Sequence, residues 1–224
     1  MHSTFVSMDI QEIKIETKAL EATLSFYTEL LGLELLYKSK EHICISVGTS
    51  VLTFIKSKGP EHPVYHIAFN IPPGQLQQSI DWLHGKADLL PVTESNVVAA
   101  FENWNANAVY FLDNNGNLLE FIARHDLSIA SDEPFSGHSI LCISEIGVVT
   151  EQVPQLANQL ISTYELPIFS KQPRADNFTA LGDDNGLLIL VENRRNWFPT
   201  KIPAEKFPLS ILIREGLLSR ELLF

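Results

Sequence analysis

The sequence predicts an α+β protein built from repeated βαβββ units, each a strand followed by a helix and three further strands. Three observations predict it. The strand–helix–strand–strand–strand order read over residues 10–56 recurs after the punctuation of Gly59-Pro60-Glu61-His62-Pro63, and a diverged version begins again after the polar stretch 128–137. Two segments match internally: DNNGNLLEFIAR at 113–124 parallels DDNGLLILVENR at 183–194, and EIKIET at 12–17 parallels EIGVVT at 145–150. Composition is that of a globular chain, 45% hydrophobic and 19% charged over 224 residues, enough for one large core or two smaller ones.

Residues 10–16 alternate, with Ile13 and Ile15 on one face and Glu12, Lys14 and Glu16 on the other, as in a half-buried strand. Over 19–31, Leu20, Leu24, Tyr27 and Leu31 recur at helical spacing, and Gly32 is a natural stop. Strands are expected at Leu33–Lys38, His42–Val47 and Val51–Lys56. The second unit opens with a strand at Tyr65–Ile71, then a helix from Pro72-Pro73 to about His84, with strands near Leu89–Thr93, Val109–Leu112 and Leu118–Arg124. The stretch 94–106, carrying Phe101 and Trp104, reads either as a loop over a cavity or as an irregular strand edge. The third unit has a strand at Ile140–Thr150, a helix at Val153–Tyr164 and strands at Ile168–Lys171, Phe178–Leu181 and Leu187–Glu192. The Pro-rich tail, 195–224, is expected to wrap over that third unit.

The most informative stretch is the hairpin at 107–124. Asp113-Asn114-Asn115-Gly116 is a turn, since Asp and Asn tolerate left-handed backbone and Gly adopts it freely. Glu120 then falls inside the apolar run Leu118–Ile122. An inward carboxylate there needs a partner, because burying it alone costs several kcal/mol, roughly. Alternation puts Glu12, His66 and Glu120 on the strand faces opposite the helix-packed ones. Two carboxylates and an imidazole converging in one cup would suit a divalent metal with positions open for water or substrate. For Glu12 the competing reading is an ion pair with Lys14.

These residues resemble the vicinal oxygen chelate superfamily, which includes glyoxalase I, bleomycin-resistance proteins and extradiol dioxygenases. The carrying segments are Leu24-Ser25-Phe26-Tyr27 with Leu30-Leu31-Gly32-Leu33, then Tyr65-His66-Ile67-Ala68-Phe69, then Tyr110-Phe111-Leu112-Asp113 with Gly116-Asn117 and Glu120. The resemblance implies that two βαβββ modules, within 9–127, pair into a cup-shaped mixed sheet around a metal, with a third diverged module at 138–194. It implies metal ligation by Glu12, His66 and Glu120, the first being a departure from the His or Gln usual there. Glu12 or Glu120 would double as the proton carrier. The counterpart of Glu120 in the third module is read as Leu190.

The expected function is a metal-dependent lyase, isomerase or ring-cleaving dioxygenase acting on a small substrate with adjacent oxygen atoms. The metal would be Zn, Ni, Mn, Mg or Fe, with Lys14, Asn70, Trp104 and Arg124 placed to contact substrate. The alternative is a metal-free protein that sequesters a small molecule. A net charge of −11 argues against nucleic acid or an anionic membrane as partner. Neither a signal peptide in the first seven residues nor an apolar run near the ~18 residues of a membrane span is visible, so a cytoplasmic location is expected. A lone third module would expose a sheet edge, to be covered by the tail or by a second chain in a homodimer.

Overall fold

A computed structural model describes residues 7–224, so the reading of the N-terminus as lacking a signal peptide lies almost wholly outside the described residues. Unit one comprises β1 (Met8–Thr17), α1 (Leu20–Ser25, extended by one π turn over Phe26–Leu30), β2 (Leu35–Lys38), β3 (His42–Val47) and β4 (Ser50–Lys56). Unit two comprises β5 (His66–Ile71), α2 (Leu76–Leu83), β6 (Val98–Phe101), β7 (Ala106–Leu112) and β8 (Leu118–Arg124). Unit three is β9 (Cys142–Thr150), α3 (Val153–Tyr164), β10 (Phe178–Asp183) and β11 (Gly186–Glu192), and the tail adds β12 (Ser210–Glu215) and β13 (Leu218–Leu223).

Two expected strands are absent as strands. Leu89 makes only an isolated bridge to Phe111, and Ile168 one to Leu181. Both runs are bounded or broken by prolines, at Pro91, Pro167 and Pro173, which cannot donate to a ladder. The edge strand of unit two is instead β6, in the stretch that looked irregular. Unit three consequently has one strand fewer than a full βαβββ module.

The strands form two curled mixed sheets, ordered β13-β12-β1-β4-β3-β2 and β10-β11-β9-β5-β8-β7-β6. Two modules do pair edge to edge, but they are units two and three, through antiparallel β5–β9 with Ile67 opposite Ile146 and Ala68 opposite Glu145. The pairing expected within 9–127 does not form because the free edge of β1 is taken by β12, with Ile13 opposite Ile211. The tail strands β12 and β13 therefore complete the sheet of unit one, while other tail residues lie over unit three as expected, with Trp197 against Gly147, Arg195 over Phe178 and Arg220 donating to the Tyr164 carbonyl. With unit three already paired, the lone-edge argument for a homodimer loses its premise.

Period-2 alternation splits the apolar residues into two groups. Ile13, Ile15, Phe54, Ile67, Phe69, Phe121, Ile146, Val148 and Leu188 face the helices and build the main core. Each fully buried chain of this kind contributes about 1.5–3 kcal/mol. Ala68, Tyr110, Ile122, Ile189 and Trp197 belong to a second cluster on the opposite, concave face. The Asp113 turn locks units one and two together. Its carboxylate accepts backbone N–H bonds from Asn115 at 2.8 Å and Asn117 at 2.9 Å, and the Tyr27 hydroxyl of α1 at 2.9 Å. Gly116 sits at φ +82°, as the turn requires. The turn is a structural device.

Candidate metal and substrate site

One row of residues crosses the concave face. Tyr110 on β7 lies opposite Glu120 on β8, Glu120 opposite Ala68 on β5, Ala68 opposite Glu145 on β9, and Glu145 opposite Leu187 on β11. With strands ~4.8 Å apart, the two glutamates flank Ala68, whose single methyl leaves room for both to lean over it. His66, two residues before Ala68 on the same face, completes the group. One ligand atom from each of His66, Glu120 and Glu145 lies within 4.8 Å of the others, and all three residues are buried.

Glu145, not Glu12, is thus the second carboxylate. Glu12 lies in the other sheet, where its carboxylate accepts a 2.7 Å bond from the Thr53 hydroxyl and pairs with Lys14 at 3.5 Å. Lys14 also reaches Glu221 at 3.4 Å and is away from the His66 group. Both corrections follow from β1 pairing with β12. Arg124 touches the group through Glu145, and Asn70 only through Arg124; neither of these expected substrate contacts is among the residues lining the cavity. Arg124, fully buried, donates to Glu145 and from Nε to Asn70 Oδ1 at 3.2 Å, with Asp184 at 3.4 Å. Trp104 lines the cavity and lies under the Arg124 guanidinium, 5.4 Å from ring centroid to Cζ.

The β5–β9 pairing relates units two and three by a local two-fold. Under it His66 matches Glu145, and Glu120 matches Ile189, since Ala68 pairs with Glu120 as Gly147 pairs with Ile189. The counterpart of Glu120 is therefore Ile189 rather than Leu190; the second hairpin turns one residue sooner, with Asp183 paired to Gly186. An apolar fourth corner leaves three ligands and an open side toward the cavity.

Burial sets the protonation states. The Glu120 carboxyl is pushed well above its usual range by desolvation and then by the nearby Glu145 charge, which Arg124 and the adjacent Tyr110 phenol offset only in part. Glu145 is raised by burial against the opposing pull of Arg124. His66 is lowered to about 4 by burial. Burial thus disfavours the charged form of both partners across the 3.5 Å approach of His66 Nε2 to Glu120. His66 Nδ1 lies 3.3 Å from the Leu118 carbonyl, which can only accept, so the proton sits on Nδ1 and Nε2 offers its lone pair to the site.

This donor set fits a divalent cation. Two buried carboxylates face one guanidinium, so burial leaves Glu120 short of the positive charge that a metal would supply, and the imidazole tautomer is already held by a backbone carbonyl. Above the group opens a cavity of about 360 Å³, walled by Phe101, Trp104, Tyr110, Phe178, Trp197 and Phe198, with Gln172 and Arg195 among its polar members. Trp197 and Arg195 come from the tail, whose proline content gave no hint of a site role. Glu145 was marked by the EIKIET/EIGVVT repeat; what the sequence hid was which strand edge each copy would meet.

A cup of paired βαβββ-type units around a buried imidazole–dicarboxylate group defines the class of protein. The chain belongs to the Glyoxalase/Bleomycin resistance protein/Dioxygenase superfamily, whose model matches residues 9–121. Among solved structures, it is similar to a candidate dioxygenase from Bacillus subtilis at 15% identity and TM-score 0.63, covering 97% of this chain and 85% of that one. It is also similar to a glyoxalase I variant from Zea mays, at 13% identity and TM-score 0.57, covering 89% and 71%. At these identities the likeness concerns fold alone. No curated protein matches the chain. Among the described residues no helix is long and apolar enough to cross a membrane.

Proposed function

We propose that the protein is a metal-dependent enzyme that binds a small substrate through two adjacent oxygen atoms, with His66, Glu120 and Glu145 as the metal ligands. The observation that carries this reading is the convergence of three buried ligand atoms within 4.8 Å beneath a cavity. A bound divalent metal would supply Lewis acidity to the two substrate oxygens. The chain supplies the rest. Arg124 holds Glu145 in place and keeps its negative charge from raising Glu120 further. Glu120, the group most disposed to carry a proton, is placed to pass it to or from the substrate, and Tyr110 beside it steadies its charged form. The aromatic wall offers an apolar surface to the body of the substrate. One imidazole with two carboxylates departs from the two-His, one-carboxylate set of ferrous oxygenases, which favours the non-redox lyase or isomerase reading over ring cleavage.

A second reading rests on a specific observation. Arg124 already neutralises Glu145, so the pocket is half compensated without a metal, as in a protein that only sequesters an apolar ligand. Metal titration separates the two. Chelator-stripped protein titrated with Mn(II), Zn(II) and Ni(II) should take up one ion per chain, with uptake lost in Glu120→Ala and His66→Ala and kept in Glu12→Ala. Absence of uptake by the wild-type protein, or uptake indifferent to His66 and Glu120, would sink the enzyme reading.

A further inference from the structure

The tail segment that crosses the cup brings an unpaired cation to the cavity. Arg195 lines the cavity with its guanidinium over the Phe178 ring, 5.2 Å from the centroid. Its one hydrogen bond among the described residues is a marginal 3.5 Å contact from Nη1 to the Asn196 carbonyl, and no carboxylate of those residues lies within 4 Å of it. The cavity's own acids cannot serve it: Glu145 is engaged by Arg124, and Glu120 stands among the metal ligands. An unpaired guanidinium in a cavity wall points to an anionic acceptor that arrives with a ligand. In a chain of net charge −11, a half-buried arginine facing a cavity with no carboxylate partner has no evident structural duty.

We infer that the substrate carries, besides its two adjacent oxygens, an anionic group such as a carboxylate that Arg195 binds, with its apolar body against the aromatic wall. Arginine matches a carboxylate bidentately, and stacking on Phe178 fixes the plane of its fork. The inference rests on the metal reading for the placement of the adjacent oxygens, but the anion subsite is separable from it.

The test compares 3,4-dihydroxybenzoate with catechol, which has the same adjacent oxygens and lacks the carboxylate. Binding is measured calorimetrically under nitrogen to Mn(II)-loaded and to chelator-stripped protein. The wild-type protein should bind the acid about ten-fold more tightly than catechol. Arg195→Gln should abolish that ratio, Arg195→Lys should keep part of it, and Arg194→Gln, changing an exposed charge next door, should leave it intact. Metal uptake by Arg195→Gln should equal that of wild type, which shows the cup still folded. Equal affinities in the wild type, binding of neither ligand, or a ratio that survives Arg195→Gln overturns the inference. If metal binds and the ratio is absent, the anion subsite alone fails. If metal does not bind yet stripped protein prefers the acid through Arg195, the metal reading fails and the anion subsite stands.

Discussion

Arg124→Met removes the one cation that the buried site holds, and its cost can be worked from what remains. The guanidinium is fully buried and serves Glu145, Asn70 and Asp184. Methionine fills much of the stem volume, so the loss is chiefly electrostatic. Breaking a buried ion pair costs about 3–5 kcal/mol if the remaining carboxylate stays charged. Glu145 can escape by taking a proton, at about 1.4 kcal/mol for each pH unit above its unfolded value of 4.5. At pH 7 that escape costs about 3.5 kcal/mol, and at pH 5 less than about 1. In the variant the folded carboxyl titrates above the unfolded one, so the folded state is favoured at low pH and loses ground as pH rises through the folded value. Stripped Arg124→Met should therefore be destabilised by about 3–4 kcal/mol at pH 7 and by about 1–2 kcal/mol at pH 5, the residue being lost hydrogen bonds to Asn70. Urea unfolding of both proteins at the two pH values reads this directly. A penalty below 1 kcal/mol at pH 7, or one that does not shrink at pH 5, would refute the account of Glu145 as a carboxylate held charged by Arg124.

His66 sets the acid limit of the stripped protein. Its folded value of about 4 lies below the unfolded 6.5, so the stability it confers is complete above pH 6.5 and is lost as pH falls toward 4, by ~3 kcal/mol. Urea midpoints of wild type and His66→Gln should converge over that window; parallel profiles would count against a buried neutral imidazole. Gly147→Ala would place a Cβ 2.5 Å from Trp197 Cη2, forcing the tail off the cup at a cost of about 1–3 kcal/mol, visible as a shift in tryptophan emission and in the unfolding midpoint. Glu12→Gln should stay within about 0.5–1 kcal/mol of wild type, since it removes only a partly exposed pair with Lys14 and its amide oxygen can still accept from Thr53.

Local patterning carried most of the element assignments. Strands such as His42–Val47 and Leu118–Arg124 and the helix Val153–Tyr164 lie where periodicity put them, because alternation and helical spacing report which face a residue buries. The inward Glu120, the turn before it and His66 were legible for the same reason. Strand pairing was not, since nothing local in β1 says whether β5 or β12 will take its open edge. Gln172 and Trp197 were hidden by the same limit. They sit in irregular segments that no period describes, and they reach the cavity only through long-range bonds, such as the 3.0 Å one from Trp104 Nε1 to Gln172 Oε1.

The fate of Glu12 and Glu145 shows how edge pairing makes a site out of a repeat. The two residues occupy equivalent positions in EIKIET and EIGVVT, each on the first strand of its unit. Beside Glu145, the neighbouring first strand β5 contributes His66, and β8 beyond it contributes Glu120. Beside Glu12, the neighbour is β12, which sets Leu212 opposite it and has no second module behind it, only the hairpin strand β13. Glu12 therefore meets Lys14 and Thr53, is a quarter exposed or less, and stays an ordinary surface ion pair. Glu145 meets an imidazole, a second carboxylate and a buried guanidinium, and becomes part of a group that a cation would complete. The match of the family model to 9–121 follows chain order across units one and two, whereas the cup follows the free edges of units two and three. A carboxylate at the start of a first strand thus joins such a group only where the adjoining edge belongs to a complete module, which is why Glu120 found its partner in the third unit and not in the first.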